Sequence, residues 1–455
     1  MRIGLAKVDI TPRVGVELCG FGPFLNRHST SVRDRLWARA MAAEQGDKRV
    51  VLVSCDLIGV TQGITDQVRQ RVHKSAGLPA NAILVHATHT HSGPAVGTDI
   101  GWGDPDPPYL ELLPGRIAEA CEQAIGSMRP ATLHHGTAVC ANLAYNRECE
   151  PRPPETQAAL RDEWRPKNPQ RTDTTVHVLK VESGGRVVGF LSHFSCHPVT
   201  CCQASTQIHG DYCGVAGGLL EKELGEGAIG LFLQGCHGDI NTCIVHKNEE
   251  ESLRGLEVLS ERYARAVRAG LAAAEPVEAD SISFARRPVT FRRKPWGKAR
   301  LRKLLAEQEA VLHAPGARDD SFDLRLAMVR AIALRRLLAD LEAGRSLEPP
   351  SEVQGLRLGP IAVLGAPLEI FQAVGKDVAS RSPFPVSFIL SLTSAGIGYA
   401  VDREIAARGG YAADLSPLMC SSLPFADIHG QLVEELARLA KDLDSTSSRQ
   451  KHLSR

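Results

Sequence analysis

Short apolar segments alternate with stretches of helical spacing through roughly the first 280 residues, and this alternation restricts the fold more than any other feature. It predicts an α/β architecture of mixed helix and sheet layers. Three of the predicted strands, 82–85, 187–194 and 230–234, run directly into polar turns that carry histidine. Because ligands of layered α/β folds gather where strand ends converge, these turns predict an active or metal-binding site.

The rest of the chain adds helices, a hairpin and a tail. Leucine and arginine at helical spacing predict an inserted helical hairpin at about 296–345, and 356–365 is typical of a tight β-hairpin. A final helix is expected at 427–443. We therefore expect a single catalytic domain over 1–445 and a disordered tail over 446–455. No internal repeat is visible in the sequence.

Composition excludes several classes of function. The 53 basic and 52 acidic residues leave a formal net charge of +1, so nucleic acid is not an expected partner. No apolar run is long enough for a membrane-spanning helix, and the first ten residues lack the apolar core of a signal peptide, which predicts a cytoplasmic protein. The 12 cysteines are accordingly expected to be free thiols.

The run Val85-His86-Ala87-Thr88-His89-Thr90-His91-Ser92-Gly93-Pro94 is the most informative of the histidine-bearing turns. If the strand continues, His89 and His91 emerge on the same side of its end. Such an arrangement is one edge of a metal or acid/base site, with His86 as a supporting residue. The alternative is a strand end with a solvated polar tip, and the run alone leaves both interpretations open.

Taken in order along the chain, several motifs resemble the catalytic domain of the neutral (alkaline, non-lysosomal) ceramidase family. The most specific is the Thr-His-Thr-His-Ser-Gly-Pro string at 88–94. The others are individually weak but occur in the family's order: 4–12, Gly20-Phe21-Gly22, 34–40, Asn146-Arg147, His197-Pro198-Val199-Thr200, Gly238-Asp239 and Pro367-Leu368-Glu369. The resemblance covers most of the chain and implies a neutral-ceramidase-like fold.

The resemblance implies one zinc ion per chain. In the family two histidines, a glutamate and a tyrosine hold the metal, and by motif position these are His89, His197, Glu369 and Tyr399. Two imidazoles and a carboxylate are ordinary zinc ligands, and a site that stays open to water suits catalysis. Zinc lowers the pKa of a bound water toward about 7, which supplies hydroxide at neutral pH.

The resemblance also assigns catalytic roles around the metal. His91 is expected to hydrogen-bond the scissile group or move a proton, and Arg147 to hold a carbonyl or developing oxyanion, although Arg147 could equally be a surface arginine. Tyr411 matches the family's next tyrosine. Asp239 and Asp211 are candidate orienting carboxylates, or else cap or turn residues.

Two departures from the family pattern change the expected chemistry. Asn241 stands where the family has a serine proposed to act in catalysis, and an amide side chain cannot be acylated. His237, just upstream, is an additional acid/base candidate. Metal-bound hydroxide is therefore favoured over a serine nucleophile. The chain is also expected to lack the immunoglobulin-like C-terminal domain and the export signal of ceramidases, which favours a small soluble substrate over ceramide.

These features predict a zinc-dependent hydrolase that cleaves a non-peptide carbon–nitrogen bond, an amide, in a small-molecule substrate. An esterase or lactonase remains an alternative, because the same metal supports it. So does a metal-bearing binding protein that has lost turnover together with the serine. The loops 101–108 and 148–171 are expected to form the pocket walls, and the sequence leaves the oligomeric state open.

Overall fold

The computed structural model describes residues 1–97, 99–225 and 227–453, without the side chains of 446–453. Its strands are β1 Arg2–Asp9, β2 Ser31–Val32, β3 Trp37–Gln45, β4 Lys48–Cys55, β5 Ile83–Ala87, β6 Arg129–Pro130, β7 Thr132–Val139, β8 Ala144–Asn146, β9 Thr175–Ser183, β10 Arg186–Phe194, β11 Gln207–Ile208, β12 Ile229–Gln234, β13 Ile240–Thr242, β14 Glu275–Val277, β15 Ile282–Val289, β16 Ser351–Leu358, β17 Ile361–Gly365, β18 Glu369–Ile370, β19 Val386–Leu390 and β20 Tyr399–Ala400. Its α-helices are α1 Gln62–Ala76, α2 Pro107–Gly126, α3 Thr156–Ala159, α4 Asp211–Leu224, α5 Glu249–Ala272, α6 Lys298–Leu312, α7 Phe322–Glu342, α8 Gln372–Arg381, α9 Arg403–Arg408, α10 Ser416–Met419 and α11 Ile428–Leu453. The predicted mixture of helix and sheet layers is confirmed.

Three sheets repeat one topology. Their strand orders are β5-β4-β3-β1-β6, β12-β10-β9-β7-β14 and β15-β16-β17-β19. Each contains an antiparallel hairpin, β3/β4, β9/β10 or β16/β17, whose second strand passes through one helix to a parallel neighbour. The crossover helices are α1, α4 and α8, and the parallel pairs are β4/β5, β10/β12 and β17/β19. The fold is thus built from three structural repeats that leave no recognisable repeat in the sequence.

The parallel strands are apolar because both of their faces are covered. Every residue of β5, β12 and β17 is buried, as expected for strands between a helix layer and a core. The inner faces of the three sheets share one hydrophobic cluster, which includes Leu52, Leu231 and Val363. Helices pack on the outer faces. The carboxyl ends of the three parallel pairs meet at one end of the molecule.

Hydrogen bonds join these strand ends directly. The Ser391 N–H donates to the Gln234 carbonyl at 3.1 Å, and the Ser394 N–H donates to the Val85 carbonyl at 2.9 Å. His86, fully buried, accepts the Gln234 N–H at its Nε2 atom, 3.0 Å away. His86 therefore has the supporting role expected for it, as a link between the first and second sheets.

The predicted helical hairpin corresponds to α6 and α7. Its inner side packs Leu301, Leu334 and Leu337 against Leu418 and Leu423 of the C-terminal region. The hairpin thereby lies beside the converging strand ends, and the start of α7 reaches the cleft that opens there.

The predictions on cysteines, membrane-spanning helices and the tail can also be compared with the structure. All twelve cysteines are free, as expected. Within the described residues no helix has both the length and the apolar character needed to span a bilayer. Helix α11 begins within one residue of the predicted final helix but ends at Leu453, ten residues beyond the predicted end, so its backbone enters the predicted tail, 446–455. The side chains of that tail lie outside the described residues. The single domain and the cytoplasmic location stay predictions.

Candidate metal centre and active-site cleft

Four side chains meet where the strand ends converge. His89, His197, His237 and Glu369 each place one donor atom within 4.8 Å of all the others. The Oε2 atom of Glu369 lies 3.4 Å from His89 Nε2, 3.0 Å from His197 Nε2 and 3.6 Å from His237 Nε2. Each residue follows a different parallel strand, β5, β10, β12 or β17, so the repeated topology assembles the cluster.

His89 reaches the cluster by a route that strand geometry does not predict. Strand β5 ends at Ala87, and His89 has a left-handed backbone with φ of 73°, a conformation that is strained for a residue with a side chain. The turn after β4 holds it: the His89 N–H donates to the Leu57 carbonyl at 2.8 Å. His91 still lies beside it, with the two Nε2 atoms 3.2 Å apart. The expected pairing of these histidines is therefore right, but a turn produces it.

The three imidazoles of the cluster share one hydrogen-bond pattern. The Nδ1 atoms of His89, His197 and His237 lie 2.6, 2.7 and 3.1 Å from the carbonyl oxygens of Ile58, His237 and Gly235. A carbonyl only accepts, so each Nδ1 carries the proton and each Nε2 directs a lone pair into the cluster. Metal-binding histidines are typically oriented in this way. The cluster therefore fits a divalent cation.

Burial favours the neutral form of two of these imidazoles. It lowers the pKa of His197 well below the usual range and that of His237 to about 4. Burial alone opposes ionisation of Glu369, but the surrounding imidazoles of His89, His197 and His237 outweigh it and hold the pKa of Glu369 well below its usual value. Neutral imidazoles and an ionised carboxylate are the forms that bind metal.

Tyr399 lies beside the carboxylate of the cluster. Strands β18 and β20 pair in parallel with Glu369 opposite Tyr399, which brings the phenol against Glu369. Burial, then the charge of Glu369, raises the pKa of Tyr399 well above its usual value. The Tyr411 ring contacts it edge-on at 5.9 Å and is 44% exposed. The two predicted tyrosines are thus adjacent, one inside the site and one at its rim.

Arg147 lies next to the Tyr399 ring and is held by hydrogen bonds. It donates to the Gly238 carbonyl at 2.6 Å and approaches the Asn241 Oδ1 atom at 3.5 Å, while its guanidinium carbon lies 5.5 Å from the centre of the Tyr399 ring. Arg147 lines the cleft, which agrees with the position expected of an active-site arginine, and its role stays a prediction. Asn241 lines the same cleft.

The two aspartates are positioning groups below the site. Asp239 is 4% exposed and accepts hydrogen bonds from Asn146 Nδ2 and the Gln372 N–H. Asp211, fully buried, accepts from the backbone and hydroxyl of Thr200, three residues after His197. Burial raises the pKa of both carboxyls to about 6. Each one holds loops of the site in place.

A cleft of about 370 Å³ opens beside the cluster. Its polar wall includes His91, Arg147, Asn241, Tyr399 and Tyr411, and its apolar wall consists of Phe21, Trp102, Val199, Phe322 and Leu326. A narrower pocket of about 50 Å³ lies on the other side of the two tyrosines. The predicted loops 101–108 and 148–171 do contribute walls, through Trp102 and Pro153.

Sequence reasoning missed the contribution of α7 to this cleft. Phe322 and Leu326 come from the helical hairpin, more than 200 residues from the histidine run. Their spacing in the sequence is that of an ordinary helix face, so no local signal marks them. Sequence reasoning also predicted an acid/base role for His237. Among the described residues, those that line the cleft and the narrower pocket do not include His237.

Comparison with known proteins places this geometry in a family. The family model described as neutral/alkaline non-lysosomal ceramidase, N-terminal, matches residues 1–251. The neutral ceramidase of Pseudomonas aeruginosa is 24% identical over 468 aligned residues, which cover 90% of this chain and 68% of that protein.

Two solved structures share the fold of this chain. The crystal structure of neutral ceramidase from Pseudomonas aeruginosa superposes with a TM-score of 0.72 at 19% identity, covering 97% of this chain and 75% of that one. A ceramidase complexed with C2 has a TM-score of 0.75 at 19% identity, covering 98% and 75%. These structures show a shared fold. Since the family model covers more than half of the chain, the chain belongs to the neutral/alkaline non-lysosomal ceramidase family.

Proposed function

We propose that the protein is a zinc-dependent hydrolase that cleaves a non-peptide amide bond in a small molecule. The observation that supports it most is the convergence of His89, His197 and Glu369 on one point beside a cleft, with both imidazole Nε2 lone pairs directed inward. The amide bond is inferred from the relatives, which are named ceramidases.

His89, His197 and Glu369 would hold the ion, because borderline-soft zinc prefers imidazole nitrogen and accepts carboxylate oxygen. When bound, zinc supplies a Lewis acid that polarises a carbonyl and acidifies water at neutral pH. The backbone carbonyls that orient both imidazoles keep them ready for the metal.

The cleft residues supply binding and proton transfer. Arg147, anchored on the Gly238 carbonyl, is placed to bind the substrate carbonyl oxygen and the charge that develops on it. His91 faces the cleft, and its Nε2 atom is the site that holds or delivers a proton to the leaving nitrogen. Tyr411, at the rim, closes one side of the cleft. Asn241 orients Arg147 and offers no nucleophile, which supports attack by water.

The substrate is an amide with an apolar acyl group. Phe21, Trp102, Val199 and Phe322 line the cleft beside the metal position, and apolar side chains of this kind bind hydrocarbon by the hydrophobic effect. The volume of about 370 Å³ suits a small molecule.

The experiment combines metal analysis with a substrate panel. We expect about one equivalent of zinc and turnover of N-acyl amides that increases with acyl hydrophobicity, and we expect His89→Ala to abolish both. His313→Ala, which changes an exposed histidine on the helical hairpin, is the matched control and should behave as wild type. Hydrolysis of esters or lactones alone would refute the amide assignment. Stoichiometric zinc without any turnover would indicate a binding protein, and a protein without metal would exclude the zinc mechanism.

A further inference from the structure

We propose that Arg27 is a positioning residue of the active site and that it acts through the imidazole of His91. This inference rests on the proposed function, which assigns the proton transfer to His91. The described residues that line the cleft include His91 but not Arg27. Any effect of Arg27 on turnover must therefore pass through a neighbouring group.

The ring of His91 is not oriented in the way that the cluster imidazoles are. Those imidazoles each have a backbone carbonyl at Nδ1, whereas the buried Nδ1 atom of His91 has no hydrogen-bond partner among the described residues. Its Nε2 atom lies 3.2 Å from His89 Nε2. The direction of the ring is therefore determined by the backbone of His91 and by the groups that pack against it.

Arg27 holds the backbone of His91. This side chain belongs to a residue that is 4% exposed, and its Nη1 and Nη2 atoms both donate to the His91 carbonyl oxygen, at 3.2 and 3.3 Å. Nη1 also donates to the carbonyls of Cys19 and Gly20, while Nε and Nη2 donate to that of Ser205 at 3.1 and 3.0 Å. Burial lowers the pKa of Arg27 to about 10, so the guanidinium stays protonated at neutral pH. A charged donor strengthens each of these bonds.

Two groups that pack against the His91 ring are held by the same guanidinium. A Cβ on Gly20 would lie 2.6 Å from His91 Nδ1, so the backbone at Gly20 lies directly against the imidazole. The Phe21 ring contacts the imidazole edge-on, with ring centres 5.2 Å apart. The guanidinium carbon of Arg27 lies 4.9 Å from the centre of the Phe21 ring, a distance at which the cation attracts the aromatic face. Arg27 thus fixes a backbone wall and an aromatic wall of the imidazole.

The loop that carries these walls has a strained backbone. Phe21 has φ of 65°, which is uncommon for a residue with a side chain, and its neighbours Gly20 and Gly22 have φ of 111° and 145°. Such conformations persist only where surrounding contacts determine them. The bonds from Arg27 to the start of this loop are contacts of that kind. Lysine would keep the charge, but a single ammonium cannot replace the planar fork that reaches several carbonyls at once.

The kinetics of Arg27→Lys on a simple alkyl amide test the proposal. We expect kcat to fall about 10- to 100-fold, because a misplacement of about 1 Å in a catalytic group costs up to this much. KM should stay within about threefold of wild type and the metal content should not change, since the substrate walls and the cluster remain. The matched control is Arg262→Lys. Arg262 is also buried and donates to two carbonyls, those of Asn142 and Ala159, which are not among the described residues that line the cleft. This control may lose stability to a similar extent, but its kcat should equal that of wild type.

A second substrate separates proton transfer from general damage. In an N-acyl para-nitroanilide the leaving nitrogen departs with less help from an acid, so Arg27→Lys should lower its turnover by less than about threefold. An equal loss on both substrates, or a normal kcat on the alkyl amide, overturns the proposal. Arg27→Gln, which avoids a buried ammonium, carries the same comparison if Arg27→Lys does not fold. Failure of both variants to fold would show that Arg27 supports the whole domain, and this result also overturns the proposal.

A measurement without turnover separates this inference from the proposed function. The imidazole nitrogen signals of His91 in an NMR spectrum can be assigned by their absence in His91→Gln. We expect them to shift in Arg27→Lys and to stay unchanged in Arg262→Lys. Unchanged His91 signals in Arg27→Lys overturn the proposal. Shifted signals in a protein whose wild type hydrolyses no amide refute the proposed function and leave the positioning of His91 by Arg27 standing.

Discussion

Arg39 is the centre of a buried ion network outside the cluster of His89, His197, His237 and Glu369. We expect its replacement to lower the free energy of unfolding strongly. Its Nη1 atom lies 2.8 Å from the Asp56 carboxylate and its Nε atom 3.0 Å from that of Glu221, and all three side chains are at most 7% exposed. The network joins strand β3, the turn after β4 and helix α4. That turn continues into Leu57 and Ile58, whose carbonyls hold His89.

The structure indicates how large the effect of Arg39→Met is. Breaking a buried ion pair by removing one partner costs about 3–5 kcal/mol, because an uncompensated charge remains. Glu221 keeps Lys7 at 2.5 Å, whereas Asp56 keeps only the Trp37 N–H at 3.0 Å. Most of the cost therefore falls on Asp56, and we expect a loss of about 4 kcal/mol of unfolding free energy at pH 8.

The loss depends on pH in a defined direction. Burial already raises the pKa of Asp56 in spite of Arg39, while Arg39 helps to hold the pKa of Glu221 below its usual value against burial. Without Arg39 both carboxyl pKa values rise in the folded protein and stay unchanged in the unfolded chain. A raised folded-state pKa gives stability that is present at low pH and lost as pH rises. The deficit of the variant should therefore shrink from pH 8 to pH 5.

Urea unfolding at pH 5 and pH 8 measures both effects. Arg39→Met combined with Asp56→Asn should recover much of the stability, because the unpaired charge is gone. Arg2→Met removes an exposed ion pair with Glu44 and should cost under about 1 kcal/mol. A deficit for Arg39→Met below about 1 kcal/mol, or one equal at both pH values, would refute the reasoning.

Three further predictions follow from the site. Removal of the metal with a chelator should lower the melting temperature reversibly, since an ion at 100 times its Kd stabilises the folded state by about 2.7 kcal/mol, and an unchanged melting curve would contradict this. Gly20→Ala should lower kcat/KM by about 10- to 100-fold with the metal content unchanged. Gly20 has φ of 111°, and a Cβ there would lie 2.6 Å from His91 Nδ1 and displace that imidazole. Normal kinetics in this variant would contradict the prediction. Burial lowers the pKa of His209 to about 3, and a lowered histidine pKa gives stability that is lost as pH falls below about 6.5. We therefore expect wild type to lose about 2.3 kcal/mol more than His209→Gln between pH 6.5 and 4.5, as checked by urea midpoints.

Much of the fold could be predicted because its signals are local. The apolar runs of β4, β5 and β12 and the helical spacing of α6 and α7 are properties of short segments, and each of these five elements lies within a few residues of its predicted position. The specific histidine string at 88–94 identified the family for the same reason. The backbone of His89 could not be predicted, because a contact with the distant Leu57 carbonyl maintains its left-handed conformation.

By itself the sequence determined the alternation of strands and helices, the family, and the histidines and carboxylate from which a metal site could be chosen. Only the tertiary structure decided which of them meet. It showed three repeats around one core, moved His237 from the acid/base candidates into the cluster, and brought Phe322 of the helical hairpin to the cleft. The physical reason is that burial, donor spacing and the partner of each Nδ1 atom depend on loops that lie far apart in the chain and meet only when the three sheets pack together.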